Sequence, residues 1–257
     1  MARVFITGSS EGLGLMAAQL LIEQGHDVVL HGRNPDRTRE ARAKAPGAQD
    51  AVTGDLATIA GATHVADQVN HLGRFDAVIH NAGIGYREAR RVETDSGIPN
   101  VFAVNVLAPY ILTALIERPH RLVYLSSGMH HRVQPQMNDL QWLRRPWNGS
   151  SAYAESKLCD VILSFAVARR WANVLSNALE PGWVPTKMGG PSAPDDLDQA
   201  HVTQAWLATS DDKLARSTGE YFYHQKLRDP NPVSRDPAIQ DDLLIQCRRL
   251  SGIPFPS

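Results

Sequence analysis

Tyr153 and Lys157 stand four residues apart in Ser151-Ala152-Tyr153-Ala154-Glu155-Ser156-Lys157, a stretch that reads as helix. On a helix that spacing stacks both side chains on one face, a turn apart. A phenol is a poor proton donor or acceptor near neutrality, because its ordinary pKa is about 10, and a neighbouring ammonium favours its ionised form. The pair therefore predicts a tyrosine of lowered pKa, tuned for acid/base work on an oxygen. Tyr and Lys also meet this way by chance in amphipathic helices. What decides between the two readings is whether other elements bring a reacting group to the same place.

The N-terminal residues supply such elements. Arg3-Val4-Phe5-Ile6 is a short apolar strand, Thr7-Gly8-Ser9-Ser10-Glu11-Gly12-Leu13-Gly14 a glycine turn, and Leu15 to Ile22 a strong helix former ending at Gly25. Strand, glycine turn and helix form the context that gives such a motif meaning. Gly8 allows a tight exit from the strand, Gly12 lets backbone approach a diphosphate, and Gly14 lets helix and strand pack closely. The helix N-terminus then offers free N–H groups and a positive dipole end. The contacts expected from this turn are Gly8, Ser10, Gly12, Leu13 and Gly14. A second strand, Asp27-Val28-Val29-Leu30-His31, completes a βαβ unit.

The Gly-x3-Gly-x-Gly spacing, with Thr7 before it and Tyr-x3-Lys downstream, resembles the short-chain dehydrogenase/reductase superfamily. Further ordered matches extend the resemblance over nearly the whole chain. Asp55-Leu56 matches the family's adenine-contacting Asp, and His80-Asn81-Ala82-Gly83 its Asn-Asn-Ala-Gly, with His replacing the first Asn. Val104-Asn105 matches its helix asparagine, Leu125-Ser126-Ser127 its strand-end serines, and Pro181-Gly182-Trp183-Val184-Pro185-Thr186 its Pro-Gly-x3-Thr segment. Residues 128–152, between Ser127 and Tyr153, outnumber those of many members and resemble the loop of retinol-dehydrogenase-like reductases.

The resemblance implies an oxidoreductase that interconverts a ketone or aldehyde and an alcohol by hydride transfer. Tyr153 would be its general acid or base. Lys157 would lower the Tyr pKa and hold the nicotinamide ribose, Ser127 rather than Ser126 would orient the substrate oxygen, and Asn105 would interrupt its helix and hold a relay water. Asn81, Ala82, Gly83, Pro181, Gly182, Val184 and Thr186 would join Asp55 and Leu56 around the cofactor. A reductase of another double bond, an epimerising relative, an NAD-dependent alcohol dehydrogenase and a non-catalytic NADP(H)-binding redox sensor are the alternatives. A degenerate sensor of that kind generally loses the tyrosine or the lysine, and this chain keeps both.

The cofactor turns on the end of the second strand, His31-Gly32-Arg33-Asn34, which lacks the carboxylate that would accept from a ribose 2′-hydroxyl. A guanidinium at Arg33, with Asn34 beside it, suits a 2′-phosphate instead, so NADP(H) is favoured over NAD(H). Glu11 weighs the other way, because many NADP-preferring relatives carry a cation at that point of the turn.

Alternating strand and helix signals predict an α/β Rossmann-type doubly wound parallel sheet of about seven strands, helices on both faces. Strands are expected near 2–7, 27–31, 51–54, 76–80, 121–126, 174–179 and 220–224, and helices near 12–24, 36–45, 60–72, 96–116, 150–172, 195–209 and 236–250. One domain is expected over residues 1–257, with an insertion at 128–150 and a Pro/Gly/Asp-rich substrate lid at about 185–209. Trp142, Trp147 and Trp183 are expected at the pocket mouth, favouring an apolar substrate, and Trp171 and Trp206 in the core. His130 and His131, as adjacent residues, are expected to point apart and complete no metal site.

Net charge is −1 and the two cysteines, Cys159 and Cys247, lie far apart. Neither nucleic acid nor an anionic membrane surface has an electrostatic reason to bind, and the thiols suit a reducing compartment. With no room expected for a leader before the first strand and no spanning apolar run, a cytoplasmic protein is expected. The resemblance implies a homodimer or homotetramer paired through the helices at 96–116 and 150–172.

Overall fold

The computed structural model describes residues 1–256. One sheet contains β1 (Arg3–Ile6), β2 (Asp27–Gly32), β3 (Asp50–Thr53), β4 (Ala77–His80), β5 (Arg121–Leu125), β6 (Leu175–Glu180), β7 (Tyr221–Tyr223) and β8 (Lys226–Leu227), in the order β3-β2-β1-β4-β5-β6-β7-β8. All neighbours run parallel except β8, which returns antiparallel along β7. This short eighth strand is the addition to the seven expected. Its two-residue turn places His224 at φ 47° and Gln225 at φ 61°. Such a turn usually announces itself by Asn-Gly or Asp-Gly, and His-Gln does not.

The helices are α1 (Gly12–Glu23), α2 (Pro35–Lys44), α3 (Ile59–His71), α4 (Asn100–Phe102), α5 (Ala108–Leu115), α6 (Gly149–Arg170), α7 (Leu197–Ala200), α8 (Val202–Thr209) and α9 (Pro237–Ser251). The single helix expected at 96–116 starts later and is broken by a π turn, Ala103–Leu107. The helix expected at 195–209 is two. Alternate side chains of the strands serve opposite layers. Phe5, Val29 and Val78 face α3, α5 and α6, whereas Val4, Ile6, Val28 and Leu30 face α1 and α8. Two covered faces explain why the strands read as nearly unbroken apolar runs. The strand order reverses between β1 and β4, which opens a crevice at the carboxyl ends of the strands.

Two packing features bear on the site. In α8, Thr203, Gln204, Ala205, Leu207 and Ala208 are buried. The segment of loop character within 185–209 therefore ends before α7, and the rest belongs to the helical layer. In α6 every residue from Ala152 to Val167 is buried within the one chain. The C-terminal segment contributes to that cover: the Tyr110 hydroxyl donates to the Ile253 carbonyl at 2.8 Å, and Phe255 stacks on Trp171 with centroids 5.2 Å apart. No helix among the described residues is long and apolar enough to cross a membrane.

Candidate active site

The glycine turn is held by side chains from β4's end. Thr7 Oγ1 accepts from the backbone N–H groups of Asn81 and Ala82, both at 3.0 Å. The Asn81 amide in turn donates to the carbonyls of Thr7 and Gly8 at 3.0 and 3.1 Å. Gly8 has φ 63°, and a Cβ there would stand 2.8 Å from Ala82 Cα. A Cβ on Gly14 would run into the Asn81 amide, whereas one on Gly12 would meet nothing within 4 Å. The turn is thus closed beneath and open above.

Helix capping points to the same side. Asn34, Thr58, Asn148 and Asp236 each close the start of their helix with a side-chain bond to a backbone N–H. Glu11 makes no such bond at α1; its carboxylate pairs with Arg37 and Lys187. The first-turn N–H groups of α1, buried Ser10 and the open space over Gly12 fit a diphosphate. Lys187 first, then Arg37, hold the Glu11 carboxyl below its ordinary range against partial burial.

Behind this turn lies a residue that sequence reasoning did not single out. His31 is buried; its Nδ1 accepts from Gly8 N–H at 2.9 Å and its Nε2 lies 2.9 Å from the Gly54 carbonyl. A carbonyl only accepts and an amide only donates, so the ring is neutral with the proton on Nε2. Burial lowers its pKa to about 4. The sequence signal was a polar residue closing an apolar strand.

At the neighbouring strand ends, Arg33 is exposed and, among the described residues, has no hydrogen bond or ion pair. Asn34 Oδ1 is engaged in capping α2 through Arg37 N–H at 2.9 Å. Asp55 accepts from Ala57 N–H at 3.0 Å, and Leu56 is buried beside it. Gly83 lies where a Cβ would stand 3.5 Å from both Lys157 Nζ and Asn105 Oδ1.

Tyr153 projects from buried α6 toward the Ser127 hydroxyl, whose polarity favours the ionised phenol. Lys157 Nζ lies 6.0 Å from the Tyr153 ring centroid, donating to the Leu125 carbonyl at 2.7 Å and to Asp160 Oδ2 at 2.8 Å. The expected lowering of the Tyr153 pKa is corrected. Burial raises it, and this outweighs the downward pull of Lys157 and Ser127. Spacing reveals the neighbouring charge; it says nothing of desolvation, which here dominates.

Ser126 turns away and donates to the Lys157 carbonyl at 2.7 Å, so Ser127 is the serine at the tyrosine. Asn105 sits in the π turn with its side chain fully engaged. It accepts from Ile84 N–H at 2.8 Å and donates to the Ile84 carbonyl at 3.1 Å and to Ser156 Oγ at 2.9 Å.

The wall of the crevice around Tyr153 is built from side chains. Arg145, in the 128–150 insertion, grips Glu155 of α6 through two bonds of 2.6 and 2.5 Å, while its guanidinium lies 3.6 Å from the Trp142 ring centroid. Trp142 meets Trp147 edge-on, and both belong to the apolar cluster of Tyr153, Val101, Tyr86 and Met188. The Met188 sulfur, from the segment after β6, lies 3.7 Å from the Tyr153 hydroxyl. Trp183 stays 52% exposed, with its indole N–H on the Gly189 carbonyl. Of the other two, Trp171 is buried and Trp206 half-buried.

In the Pro181–Thr186 segment, Gly182 has φ 88° beside Asp195, Val184 is buried, and Thr186 Oγ1 accepts from Gly189 N–H at 3.2 Å. The expectation for His130 and His131 is corrected: their rings lie 3.9 Å apart in a tight 3-10 turn rather than pointing apart. His130 is buried, with Nδ1 2.7 Å from the Ser127 carbonyl and Nε2 accepting from Asn231 N–H at 3.1 Å.

The short chain dehydrogenase family matches residues 2–123. An uncharacterized oxidoreductase of Emericella nidulans is 42% identical over all of this chain and 99% of its own length. The short-chain dehydrogenase chry4 of Gibberella zeae is 40% identical over the full length of both. Human retinol dehydrogenase 13 is 27% identical over 99% of this chain and 86% of its own. An uncharacterized protein of Mycobacterium paratuberculosis has the same fold, with a TM-score of 0.86 at 22% identity over 100% and 96% of the two chains. The chain belongs to the short-chain dehydrogenase/reductase family and is an oxidoreductase that uses a nicotinamide cofactor.

Proposed function

We propose that this protein reduces the carbonyl of an apolar ketone or aldehyde with NADPH, Tyr153 donating the proton. The observation that carries this reading is the buried Tyr153 side chain, near Ser127, beside the Lys157 ammonium and inside a largely apolar cluster. The bound nicotinamide supplies the hydride. Ser127 orients the substrate oxygen, a contribution of the oxyanion type. Tyr153 Oη delivers its proton to that oxygen, and Lys157 holds the ribose side. With the Asn105 side chain engaged, a relay water would bind the backbone that the π turn frees. The aromatic cluster excludes bulk water and selects apolar substrates.

Arg33, unpartnered at the β2 end, supports NADPH. The contrary charge at Glu11 is already answered by Arg37 and Lys187. We read the chain as self-contained rather than as a homodimer or homotetramer through α5 and α6, because its own residues bury both helices.

NADPH oxidation against a panel of carbonyls tests the reading. Tyr153→Phe should bind NADPH unchanged and lose about 10²–10⁴-fold in turnover. Wild-type protein that binds NADPH and turns over no carbonyl would favour the sensor. Arg33→Ala should weaken NADPH about 10–100-fold, the loss of one charged hydrogen bond, and leave NADH nearly unaffected. Equal losses for both cofactors would remove the case for NADP.

A further inference from the structure

Asp160 lies one helical turn beyond Lys157, in the otherwise apolar run Leu158-Cys159-Asp160-Val161-Ile162-Leu163, and is 2% exposed. Its Oδ2 accepts from Lys157 Nζ at 2.8 Å, and the same ammonium donates to the Leu125 carbonyl at 2.7 Å. Two of the three ammonium donors are therefore fixed. A cation clamped against a buried carboxylate acts on its surroundings as a dipole, whose field at a third group is far weaker than that of a bare charge. The third group is the Tyr153 hydroxyl.

We propose that Asp160 is a positioning residue that clamps Lys157 and opposes its charge, so that Tyr153 rests protonated and the site is set to give a proton rather than take one. This rests on the reading of Tyr153 as the proton donor. The groups around the charge pair are consistent with it. Tyr153 and Cys159 share the helix, and Tyr124 faces Asp160 from β5. Tyr86, from the loop after β4, and Tyr221, from β7, face Tyr153. Among the described residues Lys157 is the one cation acting on Tyr153, and Asp160 acts on it in the opposite sense. Burial raises the Asp160 carboxyl against the pull of Lys157. Burial also disfavours the lysine charge, yet Asp160 and Tyr153 raise the Lys157 pKa overall.

The test is the pH profile of Asp160→Asn, which keeps the shape and an acceptor but removes the charge. The basic limb of carbonyl reduction and the acidic limb of alcohol oxidation should both move down by about one pH unit. An ultraviolet difference titration should show one tyrosine ionising lower, a signal absent once Tyr153→Phe is added. Asp160→Glu, which restores the charge, should move the limbs back toward wild type. Limbs that stay put in folded Asp160→Asn, or move equally in Asp160→Glu, overturn the proposal.

The double variant Lys157→Met/Asp160→Leu, which removes both charges together, keeps the matter decidable if Asp160→Asn fails to fold. Loss of a clamped, neutralised pair should shift the tyrosine ionisation by less than about half a unit, whereas loss of a bare cation would raise it by about two. The larger rise overturns the proposal. If Tyr153→Phe leaves carbonyl reduction intact, the parent reading fails instead. The two failures are distinct.

Discussion

The two sides of the cleft are built by different means. On the side proposed for the nucleotide the surface is backbone: a glycine turn, open helix N–H groups and strand ends, stitched by Thr7 and Asn81. On the substrate side it is side chain against side chain: Tyr153, Trp142, Tyr86 and Met188, with Arg145 fastening the insertion to Glu155. Yet each side is braced by one buried neutral histidine joining a backbone donor to a backbone carbonyl. His31 joins Gly8 to Gly54, and His130 joins Asn231 to Ser127.

The largest effect expected from this comparison is acid lability. Burial lowers the pKa of His31 and His130 from 6.5 to about 4, and that of His80 to about 3. Below pH 6.5 the unfolded chain takes protons that the folded chain refuses, so this stability is present above 6.5 and lost as pH falls toward 4. Each histidine costs about 1.4 kcal/mol per pH unit in that window. Three together, at about 4 kcal/mol per unit, can exhaust a stability of about 5–15 kcal/mol. Thermal melts between pH 7 and pH 4 should show a steep fall. His31→Gln should flatten it and, by hydrogen exchange, protect the nucleotide side selectively at low pH. A melting temperature indifferent to pH over that range would refute the shared bracing.

Next in size is Gly14→Ala, whose Cβ has no room against the Asn81 amide. It should destabilise by about 1–3 kcal/mol as overpacking and lower NADPH affinity at least tenfold. Undiminished affinity, measured by cofactor fluorescence, would mean the turn is not the phosphate cradle.

Smallest is Met188→Ala. By emptying space over the Tyr153 hydroxyl it should change KM among carbonyls of different bulk by about 3–10-fold, roughly 1 kcal/mol of contact, and leave NADPH binding alone. A parallel change in NADPH affinity would show that the two sides are not independent.

How far each side was legible follows from the same contrast. The glycine turn, the positions of seven strands and the helix carrying Tyr153 could be read because glycine spacing and apolar periodicity act on the backbone locally. The fastening of Arg145 to Glu155, Met188 over Tyr153 and Trp142 at φ 55° could not, since each depends on chain segments meeting only after folding. Asp160 had a visible signal, one carboxylate in an apolar helix three residues from Lys157. The direction of the Tyr153 shift had none, because burial is a tertiary property. The π turn around Asn105 was expected as an interruption, but its bounds were not.

The sealed central helix carries one more consequence. Phe255, with Ile253 and Pro256 bonded to Tyr110 of α5 and to Trp171, covers a seam there from within the chain. On the self-contained reading proposed above, activity per molecule would stay constant on dilution, and removing residues 253–256 would lay that seam bare.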